Sequence, residues 1–351
     1  MRVLMLSTDR NMLDANSAVY KRTRRYAEEF GHVDAIVFTT GRGGNVVDGP
    51  LHICPTNSLT RLSYGFSAFW IARGLSKPDI VTVQDPFETG LAAYFISLVK
   101  GIPFHVQIHT DLFSPEYRRH SFVNRLRVAI ARFVIARAAG IRVVSERVKR
   151  DLETRFKLHV PVTVLPIFVD VERFHYAIPD PLLTERFAKY SHRVLVVSRL
   201  ESEKNTGLAI HAFAENAPEN ACLIIVGDGR ERGALEELAH SQKLGKHIFF
   251  EGRQDPVAYY KSADIVLFSS HYDGYGLVVA EALAAGKPVL STDVGAAREL
   301  GAIISTPDAF GEKLGEWFQR GSREGHLQNY RYKHFEEYLH AYCADIASAA
   351  R

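Results

Sequence analysis

The chain has 351 residues, of which 46% are hydrophobic and 24% charged. This ordinary globular composition excludes a disordered or fibrous protein and is long enough for two domains. The apolar runs are shorter than the ~18–20 residues of a membrane-spanning helix, and the first ten residues do not resemble a signal peptide. Three cysteines without metal-ligand spacing argue against a disulfide framework and favour the reduced cytosol.

Short apolar runs rich in β-branched residues recur along the chain, and each is followed by a stretch of helical character. This alternation is typical of parallel sheets covered on both faces. The predicted strands are Val3–Leu6, Asp34–Phe38, Ile80–Val83, Phe104–Ile108, Ile141–Val144, Val162–Leu165, Val194–Val197, Cys222–Val226, Ile248–Phe250, Ile265–Phe268, Val289–Leu290 and Ile303–Ile304.

The alternation occurs twice and predicts two doubly wound α/β domains of Rossmann type that face a cleft. We place the first domain at 1–166 and the second at 167–326, with a helix in 327–351 that packs back across the domains. Charge separates the two halves: 1–166 carries a net +9 and 167–351 a net −6. In such sheets ligands bind where strands end, so we examine the residues that follow each strand.

The segment VLVVSRLESEKN (194–205) places two cations after a predicted strand. Arg199 offers a planar fork and Lys204 a point charge, which together suit a diphosphate. The alternative is that both are surface cations paired with Glu201 and Glu203, and spacing alone does not decide between these interpretations.

The segment LIIVGDGRERGALEELA (223–239) ends a strand in Gly-Asp-Gly and opens a helix. Gly227 permits close approach of the backbone to a ligand, or simply close packing of strand and helix. Gly-x-Gly alone is weak support for a ligand site.

The segment SSHYDGYGLVVAEALAAG (269–286) leads from a strand into a helix. Gly274 and Gly276 let backbone N–H groups turn toward an anion at the helix N-terminus. Asp273 and Glu281 are expected to hold hydroxyls on either side of a bound phosphate. The alternative makes Asp273 an N-cap and Glu281 a solvated helix residue, but apolar neighbours of Glu281 indicate that its carboxylate has a partner.

Several motifs in this order resemble the retaining GT-B glycosyltransferases of the family 4 type, also known as the glycosyl transferases group 1 domain. The motifs are SRLESEKN, VGDGRER, FFEGRQ and ADIVLFSSHYDGYGLVVAEALAAGKPVLSTDVG. The resemblance implies a GT-B fold and a nucleotide-diphospho-sugar as donor substrate. The donor-binding residues that it implies are Arg199, Lys204, Gly274, Tyr275, Gly276, Leu277 and Glu281, with Gly227 and Arg253 as further candidates.

In the family, a glutamate contacts the transferred sugar where this chain has Asp273, which is one methylene shorter. The resemblance also implies that His109, at the end of QIHTD (107–111), lies beside the reacting sugar. We therefore name His109 and Asp273 as catalytic candidates. The family often has Gly-Gly before the first helix, where this chain has Asn16 and Ser17. Both are candidate cleft residues, and Asn16 is expected to tolerate a left-handed backbone.

The chain contains no Asp-x-Asp motif. We therefore predict no metal ligand and no cofactor, because the cations and the helix N-terminus can neutralise the leaving diphosphate.

A basic amphipathic segment at 117–140 carries an apolar stripe of Phe122, Leu126, Ile130, Phe133 and Val134. With an aromatic cluster in 63–77 it could contact an anionic bilayer and admit a lipid-linked acceptor. The alternative, which base rates favour, is a core helix with a solvated arginine face. No motif indicates binding to nucleic acid.

The resulting hypothesis is a metal-independent retaining hexosyltransferase in the cytoplasm or on the inner face of the membrane. It moves a sugar from a nucleotide-diphospho-sugar to a hydroxyl of a glycan or lipid-linked glycan. A nucleotide-sugar epimerase, a phosphorylase and a non-catalytic GT-B scaffold remain as alternatives.

Overall fold

The computed structural model describes residues 1–321 and 323–351 and divides into two compact units. Unit 1 comprises Met1–Pro166 and His334–Arg351, and unit 2 comprises Ile167–Lys333. Each unit is a parallel sheet flanked by helices. Among the described residues, no helix is long and apolar enough to cross a bilayer.

The sheet of unit 1 has the strand order β3-β4-β2-β1-β5-β6-β7-β8. All neighbours are parallel except β3 and β4, which pair antiparallel at one edge. Neither β3 nor β4 was predicted, because β3 has only three residues and β4 contains a histidine and ends at a proline. The strands are β1 Arg2–Ser7, β2 His32–Val37, β3 Val46–Asp48, β4 Leu51–Pro55, β5 Ile80–Val83, β6 Phe104–Ile108, β7 Gly140–Val143 and β8 Val162–Val164.

Three helices of unit 1, α1, α5 and α6, begin at a serine cap: Ser17, Ser121 and Ser145 each accept a hydrogen bond from a backbone N–H of the first turn. The helices are α1 Ala18–Phe30, α2 Tyr64–Gly74, α3 Glu88–Lys100, α4 Pro115–His120, α5 Phe122–Ile135 and α6 Glu146–Arg155.

Unit 2 is built on a six-stranded sheet in the order β11-β10-β9-β12-β13-β14, with all neighbours parallel. Its strands are β9 His192–Val197, β10 Ala221–Val226, β11 Ile248–Gly252, β12 Ile265–Phe268, β13 Val289–Thr292 and β14 Ile303–Ser305. Its helices are α7 Val171–His175, α8 Pro181–Arg186, α9 Thr206–Asn216, α10 Arg232–Ser241, α11 Pro256–Ser262, α12 Leu277–Ala284, α13 Ala297–Leu300 and α14 Phe310–Arg320.

The last helix, α15 (Phe335–Ser348), begins eight residues later than the predicted start at 327 and belongs to unit 1. Its side chains enter a polar network beneath the sheet. The buried guanidinium of Arg142 on β7 donates to Gln107 Oε1 at 2.8 Å, to the carbonyl oxygen of Leu165 at 3.1 Å and to Tyr338 Oη at 2.7 Å. Since Tyr338 lies on α15, this cation fastens the helix to the sheet.

The interpretation of 117–140 as one helix with a single apolar stripe is corrected in two respects. The segment forms two helices, α4 and α5. Of the five predicted stripe residues, only Val134 is buried, whereas Phe122, Leu126 and Phe133 are exposed. The buried face of α5 instead includes Val128 and Ala131, because helical spacing alone does not say which face the neighbouring elements cover.

Replacing the buried cation of Arg142 by an apolar side chain of similar length tests this anchor. We expect Arg142→Met to lower the free energy of unfolding by about 3 kcal/mol, since it leaves several buried acceptors without a donor. Urea denaturation measures the change. The exposed Arg137→Met is the matched control, with an expected change within about 0.5 kcal/mol. Equal effects of the two substitutions would contradict the assigned role of Arg142.

Candidate functional site

The order of strands in unit 2 reverses between β9 and β12: from β9 the chain goes first to β10 on one side, and later to β12 on the other. Open parallel sheets bind ligands at the carboxyl end of such a pair. The loops that leave β9 and β12 there span 198–205 and 269–276, and they contain most of the predicted donor-binding residues.

The two cations of the first loop differ in their surroundings. The side chain of Arg199 is 70% exposed and its guanidinium lies 3.0 Å from Glu203 Oε1. Lys204 does not pair with either neighbouring glutamate; its ammonium lies 2.7 Å from Asp273 Oδ2. The surface-pair interpretation therefore describes Arg199, whereas Lys204 reaches across to the second loop.

The backbones of the two loops are joined beside this pair. The N–H of His271 donates to the carbonyl oxygen of Glu203 at 2.9 Å, and the hydroxyl of Ser269 donates to the carbonyl oxygen of Asn205 at 2.9 Å. Asn205 adopts a left-handed backbone with φ of +48°. These contacts fix Lys204 opposite Asp273.

The carboxylate of Asp273 contacts both the ammonium of Lys204 and the backbone at the start of α12. Its Oδ1 accepts hydrogen bonds from the N–H groups of Tyr275 at 3.1 Å and Gly276 at 2.9 Å, while Oδ2 accepts from Lys204. The side chains of Lys204 and Asp273 are 16% and 19% exposed. Asp273 is thus an anion already held by backbone donors and an ammonium.

The N-cap of α12 is Gly276, with φ of +84°, and not Asp273. The sequence predicted that this segment turns backbone N–H groups toward an anion. It does so, but the anion is the carboxylate of Asp273, which accepts from the N–H groups of Tyr275 and Gly276. The N–H groups of Leu277 and Val278, in the first turn of α12, have no acceptor among the described residues.

Gly295 packs against the backbone of Tyr275 in the same loop, and the sequence did not identify it as a residue of the site. A Cβ at this position would lie 2.8 Å from the carbonyl oxygen of Tyr275, and the residue has φ of +55°. The N–H of Ala296 donates to that same oxygen at 2.9 Å. The segment STDVG (291–295) predicts a turn, but it does not predict that Gly295 lies against the carbonyl group of Tyr275.

Glu281 lies on α12, where it is half-buried, and is not a solvated helix residue. Tyr260 Oη donates to its Oε2 at 2.9 Å. Burial raises the pKa of Glu281 to about 7, although the hydrogen bond from Tyr260 and the charge of Arg173 act in the opposite direction. Tyr260 is fully buried and is the partner that the apolar neighbours of Glu281 predicted without identifying.

The glycines of the Gly-Asp-Gly segment serve close packing of loops. A Cβ on Gly227 would lie 1.8 Å from the carbonyl oxygen of Ser198, and one on Gly229 would lie 2.2 Å from that of Leu200. Close packing against Ser198 is therefore enough to explain the glycine at position 227, without contact to a ligand. Arg253 is exposed in the loop after β11.

His109 lies in unit 1, directly after β6. Its Nε2 is 3.3 Å from Gln107 Oε1, the atom that also accepts from Arg142. Burial, with the charges of Arg142 and Arg22, lowers the pKa of His109 to about 3. The imidazole is consequently neutral at pH 7 and available as a hydrogen-bonding group rather than as a cation.

Asn16 and Ser17 also lie in unit 1, before α1. Ser17 is the N-cap, and its hydroxyl accepts from the N–H of Tyr20 at 3.0 Å. Asn16 is exposed and does not have a positive φ, so the expectation of a left-handed turn there is wrong. The turn is made instead by the N–H of Asn16 donating to Asp14 Oδ1 at 3.0 Å.

Two family models match the chain, one in each half. The model described as Glycosyltransferase Family 4 matches residues 17–173, and the model described as Glycosyl transferases group 1 matches residues 185–303. The chain belongs to the family 4 glycosyltransferases, whose motifs the loops after β9 and β12 carry.

Curated relatives align over parts of the chain. The alpha-monoglucosyldiacylglycerol synthase of Acholeplasma laidlawii is 25% identical over 242 residues, covering 61% of this chain and 58% of the relative. The N-acetyl-alpha-D-glucosaminyl L-malate synthase of Bacillus anthracis is 27% identical over 174 residues, covering 49% and 46%. The chain thus spans about half the length of these relatives.

Solved structures of similar fold cover nearly the whole chain. HepE of Anabaena in complex with UDP matches with a TM-score of 0.71 at 15% identity, over 99% of this chain and 95% of that one. The sucrose-phosphate synthase of Thermosynechococcus elongatus matches with a TM-score of 0.74 at 16% identity, over 99% and 96%. The fold of the chain is therefore GT-B.

The raised pKa of Glu281 makes stability depend on pH. Its carboxyl group titrates near 4.5 in the unfolded chain and near 7 in the folded one. Folding therefore takes up a proton between these values, and this contribution to stability is lost as the pH rises from 4.5 to 7. We expect the stability of Glu281→Gln, relative to the unsubstituted protein, to increase across this window and to level off above it.

Denaturant unfolding at a series of pH values measures this difference. The exposed Glu237→Gln is the control and is expected to show a flat difference over the same window. A flat profile for Glu281→Gln would mean that the carboxylate of Glu281 is solvated.

Proposed function

We propose that the protein transfers a sugar from a nucleotide-diphospho-sugar to an acceptor hydroxyl, without a metal or other cofactor. The observation that carries this proposal is the Lys204–Asp273 pair at the start of α12, at the carboxyl ends of β9 and β12. Family membership supports it. Relatives named as sugar-transferring synthases, and structures of HepE with UDP and with UDP-glucose, are consistent with it.

The donor diphosphate binds between Lys204, Arg199 and the first turn of α12. The ammonium of Lys204 has three N–H donors and gives one to Asp273, so others remain for phosphate oxygens. Arg199, which is exposed, can turn from Glu203 to the phosphate. Together with the N–H groups of Leu277 and Val278, these cations neutralise the charge that develops on the leaving diphosphate.

Glu281 accepts hydrogen bonds from the ribose diol in this proposal. Tyr260 holds one carboxylate oxygen, which leaves the other for hydroxyl groups. Because hydroxyl donors stabilise the ionised form, donor binding lowers the pKa of Glu281 from its value of about 7 in the free protein.

Asp273 contacts the transferred sugar, and the neutral imidazole of His109 serves the reaction as a hydrogen-bonding group. The reaction proceeds with retention at the anomeric carbon. The bond from that carbon to the diphosphate oxygen breaks, the bond to the acceptor oxygen forms on the same face, and the acceptor proton passes to the departing phosphate. No side chain acts as a covalent nucleophile.

An apolar surface on unit 1 supports a lipid-linked acceptor and contact with the inner face of a membrane. Helix α3 packs against α2 and α5, and these helices and the turn before α2 leave many large side chains exposed. A cavity of about 640 Å³ opens between α2 and α3. The residues at least half exposed here are Leu59, Leu62, Phe66, Trp70, Phe95, Leu98, Val99, Phe122, Val123 and Leu126.

Charge around this surface favours an anionic bilayer. Arg61 and Arg73 flank the α2 face, and Arg125 and Arg132 are exposed on α5. An apolar face bordered by arginines combines insertion of side chains with attraction to anionic headgroups. The cavity, lined by Phe66, Phe95 and their neighbours, can take an acyl or prenyl chain of the acceptor.

Removal of the Lys204 ammonium tests the enzymatic proposal. We expect Lys204→Ala to lower the rate of nucleotide release from its UDP- or GDP-sugar by about 10²-fold or more, because a preorganised charge at the leaving group is lost. The exposed Lys243→Ala is the control, with an unchanged rate. Unchanged turnover in folded Lys204→Ala would refute the assigned site.

Product analysis in the same assay separates the alternatives. A transferase gives free nucleoside diphosphate and a glycosylated acceptor, and a phosphorylase requires added phosphate to release the sugar. An epimerase gives an isomeric nucleotide sugar without release. If the protein binds the donor but does not turn it over with any lipid or glycan acceptor, the result would favour a non-catalytic scaffold.

Vesicle co-sedimentation tests the membrane proposal. We expect binding to phosphatidylglycerol vesicles to fall at least about tenfold in Phe66→Ser/Phe95→Ser, because each inserted aromatic side chain contributes about 1.5–3 kcal/mol. The control is Ile178→Ser/Leu182→Ser, which removes two apolar side chains of unit 2 that are more exposed than Phe66 and Phe95. Equal loss in both variants, or no vesicle binding by the unsubstituted protein, would contradict a specific surface on unit 1.

A further inference from the structure

Three potential metal ligands lie together on one face of the sheet of unit 1. Asp34 on β2 is directly opposite His52 on the neighbouring parallel strand β4. His32 precedes Asp34 by two residues on β2, and residues two apart on a strand point to the same side. The pattern His-x-Asp on one strand, with a histidine in register on the next, places two imidazoles around one carboxylate.

The spacing of the donor atoms suits a transition-metal ion. His32 Nε2 lies 3.0 Å and His52 Nδ1 lies 3.5 Å from Asp34 Oδ1, and all three atoms fall within 4.8 Å of one another. Donor atoms at about 2.0–2.2 Å from a tetrahedral Zn²⁺ are themselves about 3.3–3.6 Å apart. The separation of His52 Nδ1 from Asp34 Oδ1 falls within this range and that of His32 Nε2 falls just below it, so small shifts bring the ligands around one ion.

The carboxylate of Asp34 requires a cation. Its side chain is only 4% exposed, and a buried carboxylate is unfavourable unless a positive charge or several hydrogen bonds compensate it. Within the described residues, Asp34 forms no ion pair with a lysine or arginine; its ion-pair partners are the two imidazoles.

His32 adds an independent indication. Its Nε2 is buried and has no hydrogen-bond partner among the described residues, although Asp34 Oδ1 is 3.0 Å away. The two atoms are therefore close without being aligned as donor and acceptor. Two ligand atoms that converge on an ion have this relation, because each directs a lone pair at the metal and not at the other atom.

An ion can reach these ligands from solvent. The side chain of His52 is 37% exposed. On its other side β4 pairs with β3, where Val47 stands directly opposite His52 and is 70% exposed. Solvent at this edge supplies the entry path and a water molecule as fourth ligand.

We propose that His32, Asp34 and His52 bind a divalent transition-metal ion of the Zn²⁺ type. Two imidazoles and one carboxylate are a common ligand set for such ions. The ion links β2 to β4 and stabilises that edge of the sheet. It lies toward the amino ends of the strands, whereas His109 follows the carboxyl end of β6, so it takes no part in the proposed transfer.

Titration of the chelator-treated protein with Zn²⁺ tests this site. We expect one Zn²⁺ per chain by calorimetry and a higher melting temperature. His52→Ala should weaken binding by more than about 100-fold, since even outer-shell changes cost roughly 10–100-fold. The control is His340→Ala, which removes another histidine paired with a carboxylate, Glu29 at 2.9 Å, and should bind Zn²⁺ unchanged.

Equal binding by His52→Ala and the unsubstituted protein, or no stoichiometric binding at all, would overturn the proposal. Should His52→Ala not fold, modification of the unsubstituted protein with diethyl pyrocarbonate decides. Zn²⁺ is expected to protect His52 and not His340, and equal modification of His52 with and without Zn²⁺ would contradict the site. Both readouts are independent of sugar transfer.

Discussion

The ion pair between Lys204 and Asp273 joins the two strands between which the order of the unit 2 sheet reverses. Lys204 follows β9 and Asp273 follows β12, and their charged atoms are 2.7 Å apart. The same carboxylate holds the N–H groups of Tyr275 and Gly276 before α12. One side chain thus satisfies the N–H groups that precede α12, whereas those of Leu277 and Val278 in its first turn have no acceptor among the described residues. In the proposed function a donor shares Lys204 with Asp273, and we expect specificity to depend on how well its phosphates and sugar fit around that fixed carboxylate.

Two carboxylates eight residues apart have opposite surroundings. Asp273 is held by the ammonium of Lys204 and by two backbone N–H donors. Glu281 is half-buried among apolar residues with a phenol as its partner, and its pKa is raised to about 7. Different environments can give two similar groups different roles. In the proposed function, Asp273 organises the charged part of the site and Glu281 binds neutral hydroxyl groups. Their spacing of eight residues in the sequence does not reveal that the two carboxyl groups have such different partners.

The sequence was sufficient wherever local pattern determines structure. Apolar β-branched runs predicted the central strands, and Ile80–Val83, Phe104–Ile108 and Ile265–Phe268 match the structure at both ends. Pairings between distant residues could not be predicted, because no local pattern encodes them: Lys204 with Asp273, Tyr260 with Glu281, and Arg142 with Tyr338. The covered face of α5 was missed for the same reason. The sequence did not reveal His32, Asp34 and His52 as metal-ligand candidates. Strand β4 was not predicted, so nothing in the sequence indicated that His52 lies opposite Asp34.

The measurement that tests the account most directly is thermal unfolding with UDP, GDP, ADP or CDP in excess and without metal. A ligand that binds only the folded state stabilises it by about 2.7 kcal/mol at a hundredfold excess over its Kd. The account predicts a clear rise in melting temperature with one nucleoside diphosphate, and loss of that rise in Lys204→Ala. No shift with any of the four, in protein that is folded and free of bound nucleotide, would contradict a donor site at the ends of β9 and β12.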